Sequence, residues 1–114
     1  MTILIAGTIE IDAEKRAAAL AEVTDLMAET RSQKGCVHYV WSADPTSATR
    51  VYVYENWDST ADLAAHLAGP FYWQMLAVLG KYGVTDAVVS KFKVALEEPV
   101  YDPEGKPRAY FFTE

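Results

Sequence analysis

The chain has one cysteine, two histidines and few basic residues, and these shortages exclude several classes of protein. Because Cys36 is alone, no internal disulfide and no cysteine-based zinc site can form. Ten lysines and arginines stand against sixteen acidic residues, so the net charge is −6 and no basic stripe can neutralise phosphates. We therefore expect no nucleic-acid partner and no membrane partner.

Long apolar runs and nucleotide-binding motifs are also missing. No N-terminal segment is apolar enough for a signal peptide or a membrane span, which predicts a cytoplasmic protein. There is no GxGxxG, no GxxxxGK and no nucleophile elbow, and His38 and His66 are not spaced as a metal pair. The sequence thus indicates no nucleotide, flavin or zinc site, and we predict no cofactor.

Hydrophobic residues make up 51% of the 114 residues, which is enough for one compact domain. Alternation and helical spacing predict the order βαββαβ, with the second helix broken in two. This order is typical of the ferredoxin-like α+β fold, an antiparallel sheet with its helices on one face. The predicted elements are a strand over 2–11, a helix over 13–33, strands over 36–43 and 50–57, helices over 59–69 and 70–83, and a strand over 85–96.

Both faces of the predicted strands carry large apolar or aromatic side chains, although helices can cover only one of them. We therefore predict a homodimer that buries the second face. The predicted domain covers residues 1–96, and residues 97–114 form a C-terminal extension with a Pro/Gly turn and the aromatic run 110–112. We expect this extension to pack on its own domain or across the dimer, or to help wall a ligand pocket.

The candidate chemistry lies where the third strand leads into the next helix. Strict alternation puts Asn56 and Trp57 on opposite faces of the sheet, unless the strand ends or bulges between them. Ser59 resembles a helix cap, and His66 follows on the helix face turned toward the sheet. A lone histidine or tryptophan in such a place is usually part of the core, so the pattern alone does not establish a site.

The run GCVHYVWSADPTSATRVYVYENWDSTADLAAHLAGPFY resembles the antibiotic biosynthesis monooxygenase (ABM) family. The resembling features are the Gly-Cys that enters a strand, the RVYVYENW hairpin strand, the W-D-S helix entry and the His-Leu before a Gly-Pro-aromatic step. The resemblance implies a dimeric α/β barrel made of two ferredoxin-like sheets. It also implies a pocket in which a quinol or polycyclic phenolic substrate is oxidised by O₂ without metal or flavin.

On this resemblance, His66 would accept a proton, Trp57 would stack on the substrate and Tyr72 would stabilise an oxyanion. These three are the predicted catalytic residues. The predicted substrate-binding residues are Asn56, Tyr54, His38, Phe71 and Met75.

Two alternatives remain open from the sequence. One is a non-enzymatic dimeric module that binds a small molecule or has a structural role, because fold does not fix function. The other is haem binding or degradation, which a related branch performs with an asparagine on the first strand. No asparagine occurs in residues 1–11, so this alternative lacks one of its supports.

Overall fold

The computed structural model describes residues 1–113 as a four-stranded sheet with three helices. The strands are antiparallel and their order across the sheet is β2-β3-β1-β4, which confirms the ferredoxin-like α+β fold. The elements are β1 (Ile3–Ile11), α1 (Arg16–Thr30), β2 (Cys36–Ala43), β3 (Arg50–Trp57), α2 (Thr60–Leu67), α3 (Pro70–Tyr82) and β4 (Val84–Lys93).

β3 is an interior strand whose side chains alternate between two environments. Val51, Val53, Glu55 and Trp57 are buried on the face that the helices cover, which we call the inner face. Tyr52 and its even-numbered neighbours point to the other face, which we call the open face. Because the side-chain period of a strand is two, the register with β1 places the inner-facing odd residues of the two strands side by side.

β2 departs from strict alternation at its first residues. The pairing with β3 shifts between Cys36 and His38, so Val37 is an extra residue without a partner. Cys36 consequently packs against the core while Val37 is exposed, although simple alternation places Val37 with the inward-facing Tyr39. A bulge of this kind has no clear signature in the sequence.

α1 is shorter than the predicted helix over 13–33. The carboxylate of Asp12 accepts a hydrogen bond from the backbone of Glu14, so a turn precedes the helix. Beyond Thr30 the backbone continues in turns, in which the amide of Gln33 donates to the carbonyl of Thr30. Gly35 ends this segment with a φ of 80°, a left-handed conformation that favours glycine.

α2 and α3 begin and end close to their predicted limits. The Ser59 hydroxyl accepts from the Asp62 amide at 3.1 Å and donates to the Asp62 carboxylate at 2.9 Å, which caps α2. Pro70 occupies the first turn of α3, and Gly83 ends that helix with a φ of 84°. Together, α2 and α3 carry the chain from the end of β3 back across the inner face of the sheet.

β4 pairs with β1 but is exposed along its whole length. The helices cover the other three strands, so β4 borders the core rather than forming part of it. The open face of the sheet carries Tyr52, Tyr54, Val88 and Phe92, all of them exposed.

The C-terminal extension forms a small hairpin after β4. Tyr101 and Pro107 pair as an antiparallel bridge, and Asp102 accepts hydrogen bonds from the Lys106 amide and the Arg108 guanidinium. Tyr110 is 89% exposed, so this aromatic side chain makes little contact with its own domain. Glu114, the last residue of the predicted extension, lies outside the described residues. Within residues 1–113, no helix is both long and apolar enough to cross a membrane.

Candidate functional site

A cavity of about 700 Å³ lies between the inner face of the sheet and α3. Its wall is mostly aliphatic, with side chains from all four strands and from both α2 and α3. The polar groups on the wall belong to aromatic or ionisable residues, namely Tyr39, Trp41, Glu55, His66 and Tyr72. This combination of an apolar wall with a few polar groups is typical of a small-molecule site.

His66 is the buried imidazole of this wall, with 2% of its surface exposed. Its Nδ1 lies 2.7 Å from Oε1 of Gln33, and because an amide oxygen only accepts, Nδ1 carries the proton. Burial lowers the pKa of His66 below the ordinary value of 6.5. The imidazole is therefore neutral at pH 7, and its Nε2, which has no hydrogen-bond partner in the described chain, can accept a proton.

Gln33 reaches His66 because of the turn that follows α1. Its backbone amide donates to the carbonyl of Thr30, and two residues later the carbonyl of Gly35 accepts from the backbone amide of Asp58, just after β3. These bonds hold the turn against the start of α2. No motif marks Gln33 in the sequence, so sequence reasoning missed it.

Trp57 lies behind His66 and is fully buried. The two rings are stacked with their centroids 4.7 Å apart, and the indole Nε1 donates to Oε1 of Glu55 at 3.0 Å. Trp57 itself does not line the cavity, whereas Glu55 does. Burial raises the pKa of Glu55 above its ordinary value, and the Trp57 hydrogen bond opposes this effect in part.

Two tyrosines complete the surroundings of the imidazole. The rings of Tyr39 and Tyr72 meet His66 edge-on, with centroids 5.6 and 5.9 Å from it. Burial, and then the nearby Glu55, raises the pKa of Tyr39, so its phenol stays protonated as a donor. The buried indole Nε1 of Trp41 has no hydrogen-bond partner among residues 1–113.

The structure brings together only some of the residues predicted from the sequence. His66, Tyr72 and Met75 line the cavity, and Trp57 supports it from behind. Phe71 is half-buried and packs against the core without lining the cavity. The remaining predicted residues lie on the open face, separated from the cavity by the sheet: His38, Tyr54 and Asn56.

Glu55 and Tyr39 are wall residues that sequence reasoning did not place in the site. Each lies on the inward-pointing face of its strand, so the alternation of side chains along β2 and β3 could have predicted both of them as wall residues. Within the described part of the chain, no three histidine, cysteine, aspartate or glutamate side chains cluster as metal ligands.

Solved structures share this fold at low sequence identity. A Deinococcus radiodurans protein described as a candidate antibiotic biosynthesis monooxygenase matches with a TM-score of 0.70 and 24% identity, covering 88% of this chain and 99% of that one. A Caulobacter crescentus protein of the same description matches with a TM-score of 0.75 and 20% identity, covering 83% of this chain and 91% of that one.

A relative from Synechocystis, described as uncharacterized, is 24% identical over 93 residues. The match covers 82% of this chain but only 63% of the length of that relative.

The family model described as antibiotic biosynthesis monooxygenase matches residues 2–78, more than half of the chain. The matched segment includes Gln33, Glu55, Trp57, His66 and Tyr72, each of which contributes to the polar part of the cavity or supports it. The chain therefore belongs to the antibiotic biosynthesis monooxygenase family.

Proposed function

We propose that the chain is a cofactor-independent monooxygenase that oxidises a quinol or polycyclic phenolic substrate with O₂. The observation that carries this proposal is the bond between Gln33 and His66, which leaves a neutral imidazole with a free Nε2 at an apolar cavity. A cavity of about 700 Å³ falls within the range of roughly 300–1,000 Å³ that is usual for small-molecule sites.

The oxidation needs few protein groups. Nε2 of His66 takes a proton from the substrate, and the electron-rich anion then transfers electrons to O₂. For a ring methylene, two C–H bonds break and CH₂ plus O₂ gives C=O plus H₂O, so one oxygen atom enters the substrate. For a quinol, one ring C–H becomes C–OH while the ring is oxidised to the quinone, so the second atom of O₂ again leaves as H₂O.

Each side chain around His66 has a distinct part in this proposal. Tyr72 lies on the cavity wall, where its hydroxyl can donate to an oxyanion. Trp57 is buried behind the imidazole, so it positions His66 instead of contacting the substrate. The mostly aliphatic wall offers few hydrogen-bond partners to water, so a bound apolar substrate would displace water and strengthen the hydrogen bonds to its anion.

A second candidate function is binding of an apolar small molecule without catalysis. The mostly aliphatic wall favours it, because binding would require neither the imidazole nor its tautomer. The two functions differ in their dependence on His66, and this difference decides between them.

The test is O₂ uptake by the purified protein with a panel of hydroquinones and anthrones. We expect turnover by the wild type and a loss of about 10²–10⁴-fold in His66→Gln, since a general base contributes about this much. His38→Gln is the matched comparison, because His38 lies on the open face and its loss should have little effect. Turnover that survives His66→Gln would refute the site, and a co-purified ligand with no turnover would favour the binding module.

We also propose that the chain acts as a homodimer through its open face. Val88 and Phe92 are 64% and 51% exposed there, beside two exposed tyrosines. The side-chain oxygen of Asn56 on the same face is buried and lacks a hydrogen-bond partner among residues 1–113. Burial of this face against a second copy would remove apolar surface from water.

A further inference from the structure

The cavity opens to solvent on one side, between α3 and β4. Val84 and Val89 line it from β4 and Leu76 lines it from α3, yet these side chains are 37%, 41% and 41% exposed. Gly80 also lines the cavity, and a Cβ at this residue would meet no atom within 4 Å. We call this opening the mouth. A ligand in the cavity therefore has part of its surface in contact with solvent at the mouth.

Two lysines lie beside the mouth on β4. Lys91 is two residues after Val89, so it points to the same face of the strand, and it pairs with Ile5 on the cavity wall. Lys93 follows on the same face and pairs with Ile3. Both lysines are exposed, as is the whole of β4. The inner face of β4 thus becomes cationic next to the apolar side chains of the mouth.

The register of the sheet places these lysines level with the polar groups of the cavity. Lys91 shares a row across the sheet with Glu55, which lies two strands away. Lys93 shares the next row with Trp57, whose ring stacks on His66. Because adjacent strands are about 4.8 Å apart, two strands separate the backbones of Lys91 and Glu55 by roughly 10 Å. The lysines therefore approach the polar end of the cavity from its open side.

The charges of Lys91 and Lys93 are not neutralised by ion pairs among residues 1–113, where no carboxylate oxygen lies within 4.0 Å of either ammonium group. By contrast, Lys81 on α3 pairs with Glu22 at 2.8 Å. The chain has a net charge of −6, yet its two charged side chains on the inner face of β4 are both cationic. An anion at the mouth would interact favourably with both of them.

We propose that the cavity takes an anionic ligand, with an apolar body against α3 and an acidic group held at the mouth by Lys91 and Lys93. The mostly aliphatic wall selects the apolar body, and the two ammonium groups select the charge. This inference rests on the proposed function in that it takes the same cavity as the ligand site. It adds a charge requirement that neither candidate function includes.

The test compares 2-naphthoate with 2-naphthamide, two probes of nearly the same size and shape that differ in charge. Each is titrated into the ¹⁵N-labelled chain at low salt, and the indole N–H signal of Trp41 on the cavity wall reports binding. We expect the wild type to bind naphthoate about 2–10-fold more tightly, since each exposed charge contact contributes at most about fivefold. The preference should shrink at high salt, because salt screens exposed charges.

Substitution of the lysines assigns the preference to them. Lys91→Gln should weaken naphthoate binding by about 2–5-fold and leave naphthamide binding unchanged, and adding Lys93→Gln should remove the preference. Lys15→Gln is the matched control, because Lys15 is also exposed and has no carboxylate within 4.0 Å in the described chain, but it lies at the start of α1. This control should change neither affinity.

Three results would overturn the proposal. The first is equal affinity of the wild type for the two probes, and the second is a preference that survives in the double variant. The third is a naphthoate titration to millimolar concentration that leaves the Trp41 signal in place. All three substitutions replace exposed side chains, so the variants should fold as the wild type does.

Two further outcomes distinguish this inference from the proposed function. O₂ uptake that depends on His66, with no preference for naphthoate, would overturn the charge requirement and leave the oxidation intact. A lysine-dependent preference with no O₂ uptake by any substrate would support the charge requirement and overturn the oxidation.

Discussion

The tautomer and orientation of His66 depend on two side chains that do not themselves line the cavity. Gln33 fixes the proton on Nδ1, and Trp57 holds the ring plane by stacking. Without the amide, the neutral imidazole could adopt the other tautomer and present an N–H to the substrate. Gln33 therefore acts as a positioning residue for the proposed base.

Gln33→Ala should lower turnover without removing the base. Because a single neutral hydrogen bond contributes about 0.5–1.5 kcal/mol, we expect kcat to fall by roughly 2–10-fold. Nitrogen NMR of the histidines should show His66 shifting from the Nδ1–H tautomer toward a mixture. Gln74→Ala on the exposed side of α3 is the control and should change neither measurement. An unchanged tautomer in Gln33→Ala would contradict the assignment.

The buried carboxyl of Glu55 should make stability depend on pH. Since its pKa is raised above the ordinary value of 4.5, the folded chain keeps a proton that the unfolded chain loses at lower pH. The contribution of Glu55 to stability is complete below pH 4.5 and is lost as pH rises through the raised pKa. We expect Glu55→Gln to gain stability relative to the wild type over that window, measured by urea unfolding at one protein concentration.

His66 contributes to the same curve with the opposite sign. Its lowered pKa means that the unfolded chain binds a proton more readily, so its contribution is lost as pH falls below 6.5. Both proteins contain His66, so its contribution cancels when the free energies of unfolding of Glu55→Gln and the wild type are compared at each pH. A pH-independent difference between the two proteins would contradict a raised pKa for Glu55.

At the scale of elements, the alternation of β3 and the cap of α2 could be predicted from the sequence. The period of two places Glu55 and Trp57 on the inner face, and Ser59 marks the start of the helix that carries His66. The bond between Gln33 and His66 could not be predicted, because it joins residues 33 positions apart through a turn of specific geometry. The bulge at Val37 could not be predicted either, because it depends on the register in which β2 pairs with β3.

The turn at Gly35 is the element on which the position of Gln33 depends. Gly35 has a φ of 80°, and a Cβ there would collide with the Asp62 carboxylate at the start of α2. We expect Gly35→Ala to cost more than the roughly 1–2 kcal/mol that left-handed backbone alone costs an alanine. Urea unfolding measures the loss of stability, and O₂ uptake measures the loss of activity.

Gly105→Ala is the matched control for that collision. Gly105 has a φ of 82° in the C-terminal hairpin, but nothing lies within 4 Å of a Cβ there. It therefore carries the same backbone strain without the steric contact. Equal destabilisation by the two substitutions would show that Asp62 moves aside at no cost.

At the scale of the whole molecule, the chain is extended for its size. Its radius of gyration is 16.1 Å, whereas a compact domain of about 100 residues has a value of about 13 Å. The fully exposed β4 and the aromatic side chains of the C-terminal extension are also unusual in a monomer. The packing of the extension could not be predicted from one chain, because it depends on what covers these surfaces.

Light scattering at micromolar concentration should give twice the 12.6 kDa mass of one chain. Phe92→Glu would place a charge on the open face within the proposed interface, so we expect this variant to dissociate into monomers. Gln74→Glu places the same charge on the exposed side of α3, on the other side of the sheet, and should remain dimeric. A monomeric wild type would contradict the proposed assembly.

The stacking of Trp57 on His66 gives the cavity an optical reporter of its own. A protonated imidazole held 4.7 Å from an indole quenches the emission of that indole, while a neutral one quenches it much less. Exposed Trp73 emits at longer wavelength than a buried indole, and Trp41→Phe removes the other indole that packs against the core. The blue-shifted emission of that variant should therefore follow the charge on His66 directly, with no added dye and no substrate.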